Sequence, residues 1–183
     1  MTTAYLLARA GQSVVVLDDG RVGGGMTSAT SAHLSNAIDA GYAEIERLHG
    51  RNGAQIVAAS HTAAIDRIEQ IVRDEGIACD FERVDGYLFR GEASETNLDE
   101  ELAAALRAGV PGVALVSGAP LENFDTGPCV IFPRQAQFHP LKYLAGLARA
   151  VQKAGARIYT GTHVDEVPGG ASAEVRAGKQ IVK

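Results

Sequence analysis

Ser13-Val14-Val15-Val16-Leu17-Asp18-Asp19-Gly20 is followed by Arg21-Val22-Gly23-Gly24-Gly25-Met26-Thr27-Ser28, and this stretch decides the reading of the fold. Ser13 to Leu17 is β-branched and apolar on both faces, as a central parallel strand covered by helices would be. Ahead of it, Thr2 to Ala10 is rich in good helix formers, and Gly11 falls where a helix C′ residue sits. Helix, glycine, strand is the second half of a βαβ unit. The strand that would precede the helix is not in the sequence.

In a dinucleotide-binding βαβ unit, a carboxylate at the tip of the second strand accepts hydrogen bonds from the adenosine ribose. Asp18 occupies that place; the competing reading is that Asp18-Asp19-Gly20 makes a polar turn. Gly23-Gly24-Gly25-Met26-Thr27-Ser28 spells G-x-G-x-x-S but is not the phosphate fingerprint. Those glycines must follow the first strand and open the first helix, where N–H groups face a pyrophosphate. Two readings remain for the loop: a backbone and hydroxyl surface (Thr27, Ser28, Thr30, Ser31) that approaches a ligand closely, or a surface loop.

The rest of the chain supports an α/β reading. Asp39 to Leu48 and Ala54 to Glu75 are candidate helices, the second with Ile56, Ala63, Ile68 and Val72 at helical spacing. Asp80 to Arg90 reads as a β-hairpin turning at Asp85-Gly86. Asn97 to Glu100 is a capping box opening a helix to Ala108. Val113 to Ser117 and Cys129 to Phe132 are short strand candidates, and Phe132 to Pro140 reads first as a solvated strand-to-helix connection and otherwise as a place for a polar or anionic ligand. His139-Pro140 opens a helix with Leu141, Leu144, Leu147 (or Ala148) and Val151 as its apolar stripe. Arg157 to Thr160, His163 to Val167 and Ala173 to Val182 are the late strand candidates, the last broken at Ala177-Gly178.

The 183 residues include 46% hydrophobic and 21% charged, enough for a buried core. Seventeen basic against 22 acidic residues give a net charge of -5, with no basic stripe for a nucleic-acid backbone. No apolar run approaches a membrane span and no secretory signal is visible. Cys79 and Cys129 form neither a disulfide framework nor a zinc cluster, so a reducing cytoplasm is expected. The five histidines show no metal-ligand spacing. His49 and His61 are expected on polar helix faces and His139 as an N-cap, while His33 lies in the candidate ligand loop. Neither a G-x-S-x-G elbow nor a Walker A motif occurs.

Taken together, Leu17 to Leu34 resembles the second-strand and flavin-loop region of FAD-dependent oxidoreductases of the D-amino-acid oxidase and glycine oxidase superfamily. The stretches from Phe138 and from Gly155 to Val164 are similar to its late helix and returning strand. The nearest branch is the bacterial type often followed by a Rieske iron–sulfur domain. The resemblance implies an α/β fold class. Residues 1–36 and 155–183 would form a partial Rossmann-type FAD-binding domain lacking its first strand and G-x-G-x-x-G. Residues 37–154 would be an inserted, partly helical α+β substrate-domain segment.

The resemblance assigns Asp18 to the FAD ribose. Gly24, Gly25, Thr27, Ser28, Thr30 and Ser31 would lie beside the pyrophosphate and toward the isoalloxazine, with His33 near the flavin. Val164 would contact the adenine through its backbone. Where the family commonly has an arginine, this loop has Ala29. The implied activity is oxidation of an amine or amino-acid C–N bond by hydride transfer to flavin, with no catalytic residue assigned. The missing cradle makes turnover by this chain alone unexpected, and an uncovered sheet edge predicts self-association. Alternatives are a non-catalytic module of the same fold without flavin and an NAD-dependent dehydrogenase.

Overall fold

Thr2–Arg9 forms helix α1, which ends as Gly11 turns to φ 79°, and Val15–Leu17 follows as strand β1. The chain continues through β2 (His33–Leu34), α2 (Tyr42–Asp74), β3 (Glu82–Phe89), α3 (Leu98–Ala108) and β4 (Ala114–Val116). It closes with β5 (Cys129–Gln137), α4 (Pro140–Lys153), β6 (Arg157–Tyr159), β7 (Val175–Ala177) and β8 (Gln180–Val182). The computed structural model describes residues 1–91, 97–170 and 173–183. Among them no helix is long and apolar enough to cross a membrane.

The elements fall into two compact units. Met1–Ser31, Val72–Cys79 and His139–Lys183 make the first, Ala32–Ile71 and Asp80–Phe138 the second. In the first, β1 and β6 pair in parallel, Val15 opposite Arg157 and Leu17 opposite Tyr159. α4 packs against α1 and β6 and buries Leu147 and Val151 completely. It therefore groups with the strands of the first unit, whereas the sequence reading assigned residues 37–154 to an insertion. β1 is half-buried along its length rather than enclosed on both faces, because only β6 pairs with it among the described residues. β7 and β8 form a hairpin broken at Gly178, as the sequence suggested. His163 to Val167 is not a strand; a lone bridge joins Glu166 to Arg176.

In the second unit β5 is the organising strand, with β2, β3 and β4 all antiparallel to it. The expected hairpin over 80–90 is a single strand instead. β3 runs the length of β5, and Asp85 is absorbed as a bulge between Val84 and Gly86. Long-range pairing offers more ladder bonds than a local turn, so the Asp-Gly signal is overridden. For the same reason β5 continues to Gln137, through what reads in sequence as a polar connection. Its Gln135 is 4% exposed and exchanges hydrogen bonds with Asn36, accepting from the backbone N–H at 2.6 Å and donating to Oδ1 at 2.8 Å. That polarity serves the core.

The two central helices anticipated from the sequence are both present within α2, separated at Gly50, whose φ 69° and ψ 174° are not helical. The buried stripe after the kink includes Ala54, Ala58, Ile65 and Ile71; of the anticipated face, Ile68 and Val72 are half-buried, whereas Ala63 is exposed and Ile56 is 61% exposed. Alanine is a weak hydrophobic signal in sequence, yet Ala54 and Ala58 share one buried cluster with Ala104, Ala105 and Ala108 of α3. The core joins these alanines to Tyr42, Phe132 and Val130, with the Tyr42 and Phe132 rings stacked at 6.4 Å. Asn97 caps α3 by accepting from the N–H groups of Asp99 and Glu100, and His139 caps α4 through Nδ1, both as expected. On α4 the buried stripe is Tyr143, Gly146, Leu147, Ala150 and Val151, while Leu141 is 40% exposed.

Candidate functional site

Asp18 stands one residue beyond β1 in the first unit, held by the parallel pair itself. Its N–H donates to the Tyr159 carbonyl at 3.0 Å and its own carbonyl accepts from Thr162 N–H at 2.9 Å. Gly161 N–H donates in turn to the Gly20 carbonyl at 3.1 Å. The loops leaving β1 and β6 are thus stitched together. Within the carboxylate, Oδ1 accepts the Gly20 N–H at 2.8 Å and fixes the side chain. Oδ2 has no hydrogen bond among the described residues. The polar-turn reading and the ligand reading of Asp18 are compatible, because each uses a different oxygen.

A cleft of about 250 Å³ opens beside it, lined by Asp18, Gly23, Thr27 and Val16 together with Met1, Thr2, Leu144 and Ile158. The first turn of α1 has no side-chain cap. Its leading N–H groups lack intrahelical partners and carry the positive end of the helix dipole, which suits an anionic oxygen. One cleft therefore holds a carboxylate acceptor and a set of backbone donors. That pair of chemistries fits the ribose hydroxyls and phosphate of a nucleotide. The sequence reading singled out the first half of this pair and missed Met1 and Thr2. The signal was available, since a βαβ unit brings the start of its helix to the tips of its strands.

The loop residues divide. Gly24 closes a turn by donating to the Arg21 carbonyl at 2.8 Å, and an added Cβ would lie 2.8 Å from Arg21 Cγ. Gly25 has open space around its Cβ position. The unselected Gly23, at φ +77°, is the tight approach: a Cβ there would lie 2.8 Å from Leu141 Cδ2 on α4. Thr27 reaches the cleft, whereas the Ser28 hydroxyl donates to the Gly25 carbonyl at 2.8 Å and closes a 3-10 turn over Met26–Ala29. Thr30 and Ser31 are exposed at the end of this unit. Val164 is half-buried, two residues after the Thr162 bond to Asp18. His33 belongs to the second unit, where it is exposed and opens β2 opposite Gln137. Beside Asp18, His163 Nδ1 lies 3.6 Å from Asp19 Oδ2, both exposed.

Comparison with known proteins covers the whole of this architecture. The family model described as FAD dependent oxidoreductase matches residues 1–182. A Rieske 2Fe-2S iron-sulfur protein of Bacillus subtilis is 31% identical over 176 residues, covering 96% of this chain and 34% of the relative. Gamma-glutamylputrescine oxidoreductase of Escherichia coli is 23% identical, covering 98% of this chain and 43% of the relative. The chain thus spans less than half the length of these relatives. Among solved structures, L-amino acid deaminase from Proteus vulgaris superposes with a TM-score of 0.72 at 17% identity, covering 99% of this chain and 42% of the other. Glycine oxidase from Bacillus cereus gives 0.69 at 15% identity, covering 99% and 49%.

Proposed function

The chain belongs to the FAD-dependent oxidoreductase family, and on that premise we propose that its first unit binds the adenosine-diphosphate end of FAD. The second unit contributes to the substrate side of a protein that oxidises the C–N bond of an amine or amino acid. The carrying observation is the shared cleft of the Asp18 carboxylate and the uncapped start of α1. Asp18 Oδ2 accepts from a ribose hydroxyl, the leading N–H groups of α1 hold a phosphate oxygen, and Thr27 lines the wall between them. Gly25, Ser28, Thr30 and Ser31 continue along the dinucleotide. Val164, two residues beyond the Thr162 bond to Asp18, meets the base in this reading.

Bound FAD supplies the hydride acceptor, and the protein's part is to bind and orient it. Gly20 N–H, held to Oδ1, keeps the Asp18 carboxylate in one rotamer before the ligand arrives, which lowers the ordering cost of binding. The relatives support the substrate class, since a gamma-glutamylputrescine oxidoreductase, an L-amino acid deaminase and a glycine oxidase are each named for an amine or amino acid.

The test is equilibrium binding of FAD to the purified chain, followed by flavin fluorescence, with ADP, FMN and NADH as competitors. ADP is expected to displace FAD and FMN is not. Asp18→Ala should weaken FAD about tenfold or more, since hydrogen bonds to a charged group are worth about 1.5–3 kcal/mol. Displacement by NADH at lower concentration than ADP would transfer the site to a nicotinamide cofactor. Unchanged affinity in Asp18→Ala would remove Asp18 from it.

A further inference from the structure

The turn that carries Asp18 fixes its carboxylate only as firmly as the turn itself is held. Oδ1 accepts the Gly20 N–H at 2.8 Å, so the orientation of the side chain follows the Asp19–Gly20 peptide. Asp18, Asp19 and Gly20 are all exposed, and no packing immobilises that peptide. Two backbone bonds from the loop that leaves β6 bracket it instead. Thr162 N–H donates to the Asp18 carbonyl on one side at 2.9 Å, and Gly161 N–H donates to the Gly20 carbonyl on the other at 3.1 Å.

Gly161 reaches Gly20 through its backbone conformation. Its φ is 61°, in the left-handed region that an L side chain enters at a cost. Space is not the constraint, since nothing lies within 4 Å of the position its Cβ would take. A substitution there acts through the backbone and not through a clash. The other link between the two loops, His163 Nδ1 to Asp19 Oδ2 at 3.6 Å, joins exposed groups and is worth little. Ordering of the turn therefore falls to the backbone bonds.

We propose that Gly161 is a positioning residue for the ribose of the cofactor. Its left-handed backbone holds the Gly20 carbonyl, the neighbouring Gly20 N–H holds Oδ1, and Oδ2 is presented to the ligand in one orientation. The role rests on Asp18 as the ribose acceptor. It makes the β6 loop part of what orders the site before the ligand arrives, which lowers the cost of binding.

Calorimetric titration of ADP into the purified chain and its variants tests this, with the Gly20 amide followed by two-dimensional NMR in the absence of ligand. Gly161→Ala is expected to weaken ADP about fivefold, as a partly disordered acceptor would, and to move the Gly20 amide upfield as its bond to Oδ1 loosens. Gly161→Asn should stay within about twofold of the parent, because asparagine tolerates the left-handed region. In an Asp18→Ala background Gly161→Ala should change ADP affinity by less than about twofold, since the group it positions is gone. The same spectra report that each variant is folded. An equal loss in both backgrounds, or unchanged ADP affinity in Gly161→Ala where Asp18→Ala does weaken it, overturns the proposal alone. ADP affinity unmoved by Asp18→Ala removes the ribose reading itself, and a Gly20 amide that still shifts in Gly161→Ala would then mark a structural link only.

Discussion

The carboxylate of Glu101, on α3 and 5% exposed, accepts the backbone N–H of Tyr42, the first residue of α2, at 2.7 Å. It also accepts Ala43 N–H at 3.1 Å, so a helix without its own cap is capped by a residue 59 positions away in the chain. A negative charge at a helix N-terminus is favourable in its own right. Gly41, at φ +75°, leaves the room, since a Cβ there would lie 2.8 Å from Glu101 Oε2.

Glu101→Ala is therefore expected to strand two N–H donors, at about 1–3 kcal/mol for each that is cut off from water. Glu101→Gln keeps one carbonyl acceptor and should recover part of the loss. Urea denaturation of the three proteins checks the order; an alanine variant as stable as the parent would remove the capping role.

Alkaline pH should unfold the chain through its buried phenols. Tyr42 is pushed up to about 12 by burial and then by the Glu101 carboxylate. Tyr5 is pushed up to about 12 by burial and then by its hydrogen bond to Glu75. Both ionise near 10 when unfolded. Each folded value is raised, so this contribution to stability is complete below pH 10 and is lost as pH climbs from there toward 12. Tyrosinate absorbance and circular dichroism, recorded together across that window, should show late ionisation coinciding with unfolding. Tyr42→Phe should reduce the late fraction.

Gly146 marks where α4 meets the Ile77 segment in the first unit. A Cβ there would lie 2.5 Å from Ile77 Cγ2 and 2.9 Å from Cγ1. Gly146→Ala, stabilising in an open helix, is expected here to cost about 1–3 kcal/mol by overpacking. By thermal melting, Gly146→Ala should cost far less in an Ile77→Ala background, because alanine there removes Cγ1 and Cγ2, the two atoms the added Cβ would meet.

Asp18→Asn separates the two oxygens of the carboxylate. The amide retains a carbonyl oxygen for Gly20 N–H, so thermal stability should stay within about 0.5 kcal/mol of the parent, the usual range of a surface substitution. FAD affinity should fall nonetheless, since the remaining position becomes a neutral donor. Calorimetric binding alongside a thermal melt decides it; equal losses of both would make Asp18 a turn residue alone.

Local signals were readable wherever the physics is local. α1 with its glycine stop, the Asn97 and His139 caps and the Gly178 hairpin break all follow from backbone freedom and short hydrogen bonds within a few residues. The parallel partnership of β1 was legible from its unbroken apolar run, and Asp18 from its place at the strand's end. Misreadings occur where a distant segment sets the outcome. Asp85-Gly86 has every mark of a turn until β5 supplies a continuous partner, and Ile56 outranks Ala54 until the buried cluster shared with α3 takes in Ala54 and leaves Ile56 exposed.

The amino-acid order is thus sufficient for the helices and their caps, the family and the position of Asp18 at the end of β1, because propensity, capping and strand-end chemistry act over a few neighbouring residues. Joining Asp18 to the start of α1 in one cleft required the β1–β6 pairing and its hydrogen-bonded loops. Bringing Gly161 to the Gly20 carbonyl, beside the N–H that holds Asp18 Oδ1, required the parallel register of β1 and β6. Both arrangements come from contacts between residues far apart in sequence, and no window along the chain contains them.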